Sequence, residues 1–229
     1  MDYILTKSKY IRGLQCVKAM YLDVYHPEWA YYPPETLARF RCGRDFERTF
    51  KNTFPKGIDI SARLKNKISS YPILTADLLA QPGEVTLFEA GFLYDEVLVL
   101  ADVVHKDSDG TLTIYEVKNG KTISDTFRND VAVQHYVISH AIPSIIPNDL
   151  FCTSLCLKHF YVLYNDGQDG FAKEDLMDRS LAQHPIIKEN ICQFKTILAQ
   201  AEPNIDISDH CNTPYECPYK RHCLRPPSA

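Results

Sequence analysis

Three stretches in the middle of the chain, residues 85–93, 97–105 and 111–117, are rich in β-branched and aromatic residues, with turn residues between them. This predicts three consecutive antiparallel strands. Upstream the apolar period is helical. Tyr10, Ile11, Leu14 and Met20 predict one helix capped by Thr6, and a second, over 35–50, follows Pro33 and Pro34 and stops before Pro55. Thr75 is placed to cap a short helix over 76–80. Downstream, a helix over 124–140 leads to a further strand over 157–164, and then to a long helical stretch over 174–201. The tail, 203–229, has proline and cysteine punctuation and little periodicity. The order implies an α/β layered fold, its sheet region at about 84–165, with helices before it (1–80) and a helix and Cys-rich tail after it (174–229). A length of 229 residues suits a single domain.

The hairpin ADVVHKDSDGTLTIYEVKNG, residues 101–120, carries the candidate chemistry. A three-residue loop of Ser108, Asp109 and Gly110, with Gly110 left-handed, pairs Asp107 with Thr111. Counting back along that ladder sets Asp102 opposite Glu116, within roughly 5 Å on one face. Lys118, two residues on, shares the face. A two-residue loop would turn Asp102 to the other side. Two carboxylates and a lysine converging in this way offer hard oxygen ligands for Mg²⁺ or Mn²⁺. Such an ion acidifies water and neutralises charge on a phosphoryl group, and the lysine orients the water or stabilises the transition state. An exposed hairpin with a Glu/Lys ladder gives the same pattern. The apolar runs before Asp102 and Glu116 favour burial, where an unpaired charge is costly. Asp130 and Gln134 lie four apart on the next helix, hence on one face, which either meets this site or is plain helix surface. Glu89 either faces the site from the neighbouring strand or is a structural acid.

Net charge is −4, so any polyanion site must be a local patch. Three candidates stand out: Lys7, Lys9, Arg12 and Lys18; then Arg39, Arg41, Arg44, Arg48 and Lys51; and last Lys220, Arg221 and Arg225. Trp29, Tyr31 and Tyr32 precede the second patch and either stack on unpaired bases or pack the helix entry. The opening MDYILTKSKY has no signal-type apolar region, and no apolar run nears 18 residues, so a cytoplasmic protein with no membrane segment is expected. In that compartment eight cysteines point to thiols or metal ligands rather than disulfides.

The stretch LFEAGF…VLVLADVV…IYEVKNGKTISDTFRNDVAVQHYVISHA resembles the PD-(D/E)XK core of RecB-like nucleases. With the cysteines it is similar to a group of bacterial proteins related to the CRISPR-associated adaptation nucleases that carry iron–sulfur clusters. The resemblance runs from Thr6 to Cys223 and is strongest over 86–140 and at the cysteines. It implies a restriction-endonuclease-like core, a mixed sheet with an antiparallel meander flanked by helices, plus a helical and Cys-rich terminal clamp. The whole, 1–229, would be one nuclease domain. It implies Asp102, Glu116 and Val117 at the metal, Lys118 as a catalytic residue, and Gln134 of VAVQHY as a helix residue approaching the site. Three departures are visible. Ala101 stands where the superfamily's proline would be, Glu47 stands four residues after the helical Gly43 where a histidine is common and still offers a metal ligand, and Ile138 replaces an aromatic four residues after Gln134, with Tyr136 nearby.

The tail HCNTPYECPYKRHCLR sets Cys211, Cys217 and Cys223 within thirteen residues, which points to a metal site. By the same resemblance, Cys16 of GLQCVKAMYL joins them to hold a [4Fe–4S] cluster. The five-residue gap between Cys211 and Cys217 is longer than the family's. Zinc satisfies four thiolates equally well, and His210 or His222 can replace one of them. Cys42, Cys152, Cys156 and Cys192 lie in apolar contexts and read as buried thiols. The function implied is metal-dependent hydrolysis of DNA, on single strands or ends, with room for a protein partner in repair, adaptation or defence. The alternatives are a non-catalytic nucleic-acid-binding or assembly subunit on a nuclease fold, and a zinc-stabilised interaction domain.

Overall fold

A computed structural model describes residues 4–65, 67–146, 154–168 and 170–224. In chain order the elements are β1 (Leu5–Thr6), α1 (Lys7–Gln15), α2 (Val17–Tyr25), α3 (Pro34–Lys51), β2 (Ile58–Asp59), α4 (Ile60–Leu64), α5 (Tyr71–Leu79), β3 (Val85–Tyr94), β4 (Val97–Lys106) and β5 (Thr111–Lys118). Then follow α6 (Asp125–Ala141), β6 (Cys156–Asn165), β7 (Phe171–Asp175), α7 (Met177–Ala182), α8 (His184–Leu198) and α9 (Lys220–Cys223). The fold is α/β, a mixed sheet of seven strands flanked by helices, in the order β2-β3-β4-β5-β6-β7 with β1 beside β4. Strands β3, β4 and β5 form the antiparallel meander, and α6 carries the chain across to β6, which is parallel to β5. Among the described residues no helix is long and apolar enough to cross a membrane.

The hairpin closes as its loop chemistry requires. The Asp107 amide donates to Thr111 at 2.9 Å, the Gly110 amide to Asp107 at 3.0 Å, and Gly110 sits at φ 87°. The ladder therefore runs Lys106↔Leu112 to Val103↔Tyr115, the register that sets Asp102 against Glu116. Valine, leucine and isoleucine of the strands pack under α6 and α8 in the main core, while Phe50 of α3 meets Phe88, Val103 and Val117 on the other side.

Several expectations are corrected. The first helix breaks at Cys16, whose extended backbone (φ −161°, ψ 117°) ends α1 and starts α2. Periodicity missed the break because both halves turn apolar residues inward. Thr75 caps nothing. It lies inside α5, fully buried, and its hydroxyl accepts the Gly91 amide of β3 at 2.9 Å. The stretch expected as helix from 174 begins within β7, because Asp175 and Glu174 pair with Tyr161 and Val162 of β6. Strands β1 and β2, of two residues each, are too short to leave a pattern. Cys42, Cys156 and Cys192 are exposed rather than buried, each on the outward side of its element, and Cys152 and Arg225 lie outside the described residues.

The Thr75 contact gives a stability test. Thr75→Val keeps the shape and removes the acceptor, leaving the Gly91 amide buried and unpaired, which costs about 1–3 kcal/mol. The melting temperature is expected to fall by roughly 2–4 °C per kcal/mol. An unchanged melting curve would show that the hydroxyl carries no weight in docking α5 onto β3.

Candidate functional site

The site forms where β4 and β5 part. Their ladder ends at Val103↔Tyr115, because the first residues of β4, Val97 and Leu98, are taken by β1 instead. Where the strands separate, the Asp102 carboxylate accepts the Val117 amide at 2.7 Å, replacing a strand partner. The inward alternation also slips by one residue here. In β4, Val97, Val99 and Ala101 face the main core and then Val104; in β3, Leu87 does and then Ala90 and Phe92. Glu89, unpaired between them and opposite Asp102, takes a left-handed backbone at φ 54°. This costs on the order of 1–3 kcal/mol for a residue with a side chain. The slip turns Glu89 and Asp102 toward α3, so alternation alone does not set Asp102 on the face of Glu116. The side chain of Val117 packs in the apolar cluster beside α3.

Carboxylates and lysines meet at this point from six elements. Oxygen atoms of Glu47 (α3), Glu89 and Asp102 lie within 4.8 Å of one another. Lys51, one turn beyond Glu47, bonds both Glu47 and, at 2.7 Å, Glu89. Glu116, 1 % exposed, accepts from Lys7 at 2.7 Å and Gln134 at 2.7 Å, and pairs with Lys118 at 2.6 Å. Lys118 also bonds Asp130. Asp130 and Gln134 therefore do face the site, and so does Glu89. Glu47, four residues after Gly43, joins them, and Lys7 and Lys51 complete a set that no local spacing announced.

The electrostatics divide the acids into two kinds. Burial disfavours charge on Glu116, but Lys118 and Lys7 outweigh it and hold its carboxyl far below the usual range. Burial and then the charge of Glu116 push Asp102 well above that range, against the pull of Lys7. Burial likewise raises Glu89 despite Lys51. When all are ionised, the five carboxylates face three ammonium groups, a shortfall of two positive charges. Asp102 and Glu89 are the two acids whose charged form burial disfavours and whose neighbours leave it under-compensated.

Above this floor lies a cleft of about 1170 Å³. One wall is α3, which presents Arg39, Phe40, Gly43, Arg44 and Glu47; another is the loop with Tyr31 and Tyr32; a third is the tail with Tyr215, Cys217, Lys220 and Arg221. Arg221 stacks on Tyr31, 3.3 Å above the ring. Trp29 does not line the cleft and stacks instead with His26 at 3.8 Å and His222 at 4.4 Å. Arg48 turns away from the cleft and pairs with Asp45 at 2.9 Å, so the basic patch on α3 divides between two faces.

The four candidate cysteines share one neighbourhood. Cys16, Cys211 and Cys217 pack together with Ala19, Leu22 and Tyr219. Cys223 ends α9, and its thiol is pushed up by burial and by neighbouring Cys16 and Cys211. The helix break at Cys16 delivers its thiol to the tail. Gln15 donates to the carbonyls of His210 at 2.8 Å and Tyr215 at 2.7 Å, and Tyr219 donates to Asp23 at 2.6 Å. His222 is engaged by Trp29, and His210 by Ser208 at 2.5 Å.

Neither the family models nor the curated proteins compared with the chain give a match.

Two tests follow from this geometry. A divalent ion that enters the carboxylate group stabilises the folded chain; at 100 times Kd the gain is about 2.7 kcal/mol, or roughly 5–10 °C. Mn²⁺ is expected to raise the melting temperature of the wild type, and Asp102→Asn or Glu89→Gln to abolish the rise. A wild type indifferent to millimolar Mn²⁺ and Mg²⁺ would reduce the group to lysine-paired acids.

The second test concerns His135, next to Gln134 and 2 % exposed. Its Nδ1 lies 2.7 Å from His184 Nε2, and burial, then His184 and His140, lower its pKa from 6.5 to about 4. Between those values the unfolded chain binds more protons, so stability is full above pH 6.5 and declines as pH falls. The decline is on the order of 3 kcal/mol across the window. Denaturant titrations from pH 7 to 5 should show this slope, and His135→Gln should flatten it; an equal slope in both proteins would assign the effect elsewhere.

Proposed function

We propose that this protein is a metal-dependent nuclease of the RecB-like PD-(D/E)XK type, hydrolysing DNA phosphodiesters on single strands or ends. One observation carries the reading: an acidic floor short of two positive charges lies beneath a cleft walled by arginine, lysine and aromatic side chains. A shortfall of two charges among hard oxygen donors is what Mg²⁺ or Mn²⁺ satisfies. Cationic walls with tyrosine and phenylalanine suit a phosphate chain with unpaired bases. The donor set fits the ion, with Asp102 central, Glu47 and Glu89 on one side and Glu116 on the other. When bound, the ion supplies Lewis acidity to a phosphoryl oxygen and acidifies a water.

The chain's own residues supply the rest. Lys118 stays charged because Asp130 and Glu116 outweigh its burial, so it serves as a fixed cation for charge building on the phosphate. Gln134 fixes Glu116 from behind, and Lys7 holds the same carboxylate from the amino-terminal side. Tyr31, Tyr32 and the arginines of α3 hold the strand in the cleft.

The cysteine group fits a thiolate-bound metal, with a [4Fe–4S] cluster as the preferred occupant and zinc the alternative. Among the described residues no three cysteine sulfurs come within 4.8 Å of one another. The role of that metal is to clamp the two chain ends that form one cleft wall.

A second reading, a non-catalytic nucleic-acid-binding or assembly subunit on this fold, draws on the saturation of Glu116 by Lys7, Lys118 and Gln134. One preparation separates the two. Protein purified without oxygen is incubated with labelled single- and double-stranded DNA, with Mn²⁺ or with chelator, and its iron and zinc are counted. The nuclease reading expects Mn²⁺-dependent cleavage, lost at least about 100-fold in Asp102→Ala, Glu116→Ala and Lys118→Ala while these still fold. It also expects about four irons per chain, lost in Cys16→Ser and Cys217→Ser. Tight binding without cleavage would favour the second reading, and one zinc per chain would replace the cluster while keeping the clamp.

A further inference from the structure

A glycine inside a helix destabilises it relative to alanine, and a helix usually keeps one where a neighbour leaves no room for a methyl group. Gly13 of α1 is such a case: a Cβ there would lie 2.7 Å from the Phe194 ring and 2.9 Å from the Met20 sulfur. Gly43 is not. It sits mid-way along the eighteen-residue α3, with no left-handed backbone to require glycine, and a Cβ there would meet nothing within 4 Å. No described part of this chain explains the missing side chain.

Its position does. After Pro34 and Glu35 at its start, the residues of α3 that line the cleft recur every three or four positions, Thr36, Arg39, Phe40, Gly43, Arg44 and Glu47, one face of the helix. Gly43 is the gap in that face, one turn from Glu47 of the carboxylate group. On either side stand Arg39, whose hydrogen bond is to Thr36 at 3.0 Å rather than to an acid, and Phe40, 47 % exposed. By contrast Arg48, off this face, is paired with Asp45. The cleft side of α3 thus offers cations, an apolar ring and open space over Gly43, in sequence toward the acids, with Asn119 donating to the adjacent Cys42 carbonyl at 3.3 Å.

We propose that Gly43 is a substrate-contact position: a nucleic-acid strand in the cleft touches the α3 main chain there, its phosphates toward Arg39 and Arg44, on its way to Glu47. A side chain at 43 would collide with the ligand and not with the protein. This inference rests on the nucleic-acid reading of the cleft and adds the path of the strand across one wall.

Stability and binding are then expected to move in opposite directions. Gly43→Ala and Gly43→Leu should each raise the melting temperature of the free protein, by about 2–4 °C, since both residues favour helix. Affinity for a labelled single-stranded oligonucleotide, measured by fluorescence anisotropy in chelator so that nothing is cut, should fall in order of size. Alanine is expected to weaken it a few-fold and leucine about tenfold or more, as overpacking does elsewhere. Gly43→Leu that binds like wild type overturns the contact and leaves the nuclease reading standing. Equal losses for alanine and leucine also overturn it, because they would report a stiffened helix rather than a collision. A wild type that binds neither single-stranded nor duplex DNA overturns both the contact and the cleft reading beneath it.

Discussion

The hydrogen bond from the Val117 amide to the Asp102 carboxylate holds the point on which the site depends. A buried backbone amide must find an acceptor. In most of β4 and β5 that acceptor is the partner strand, but β1 occupies the start of β4, so the strands part after Val103. Asp102 fills the gap at 2.7 Å. A carboxylate is thereby drawn into low-dielectric surroundings, where charge needs compensation. The segment that forces the strands apart also brings a compensating cation, since Lys7 follows directly on β1 and reaches Glu116.

Opposite Asp102, the left-handed Glu89 extends the same logic. Strain accepted at one residue turns two acids toward α3, where Glu47 and Lys51 wait on one helical face. Three lysines make the group tolerable without satisfying it. The residual demand stays with Asp102 and Glu89, while Glu116 is locked in its charged form. Buried ion pairs of this kind contribute little net stability, because desolvation consumes the attraction. Their persistence is better accounted for by what they hold ready.

The amino-terminal helices and the tail behave as one wall. Asp23 receives Tyr219 from the tail at 2.6 Å and Arg12 at 3.2 Å, and Arg12 in turn lines the cleft. The Tyr31 amide donates to Pro218 at 3.0 Å. Chain segments some two hundred residues apart thus shape the cleft together, and a metal on the cysteines would offset the entropy cost of closing that long loop.

Local chemistry made part of this legible in the sequence. The loop Ser108, Asp109, Gly110 decides the register of the hairpin by turn geometry alone, and with it the pairing of Asp107 with Thr111 and the nearness of Asp102, Glu116 and Lys118. Asp130 and Gln134 share a face because a helix turns every 3.6 residues. The tail cysteines announce themselves by spacing, and Cys16 joined them only by resemblance. What depended on the path of the chain was not legible. Lys7 and Lys51 arrive from separate elements, and Glu47 and Glu89 are open alternatives only, because no periodicity links positions brought together when helices dock on a sheet. The phase slip at Glu89 is invisible because a positive φ at glutamate is imposed by its surroundings, not by its own preference. The exposed Cys42, Cys156 and Cys192 sit among apolar neighbours, and only packing decides which side of a half-buried element turns to water. Sequence determines what a few consecutive residues must do to satisfy their own backbone. Tertiary structure decides which distant charges must share a cavity, because only the closed fold excludes the water that would otherwise keep them apart.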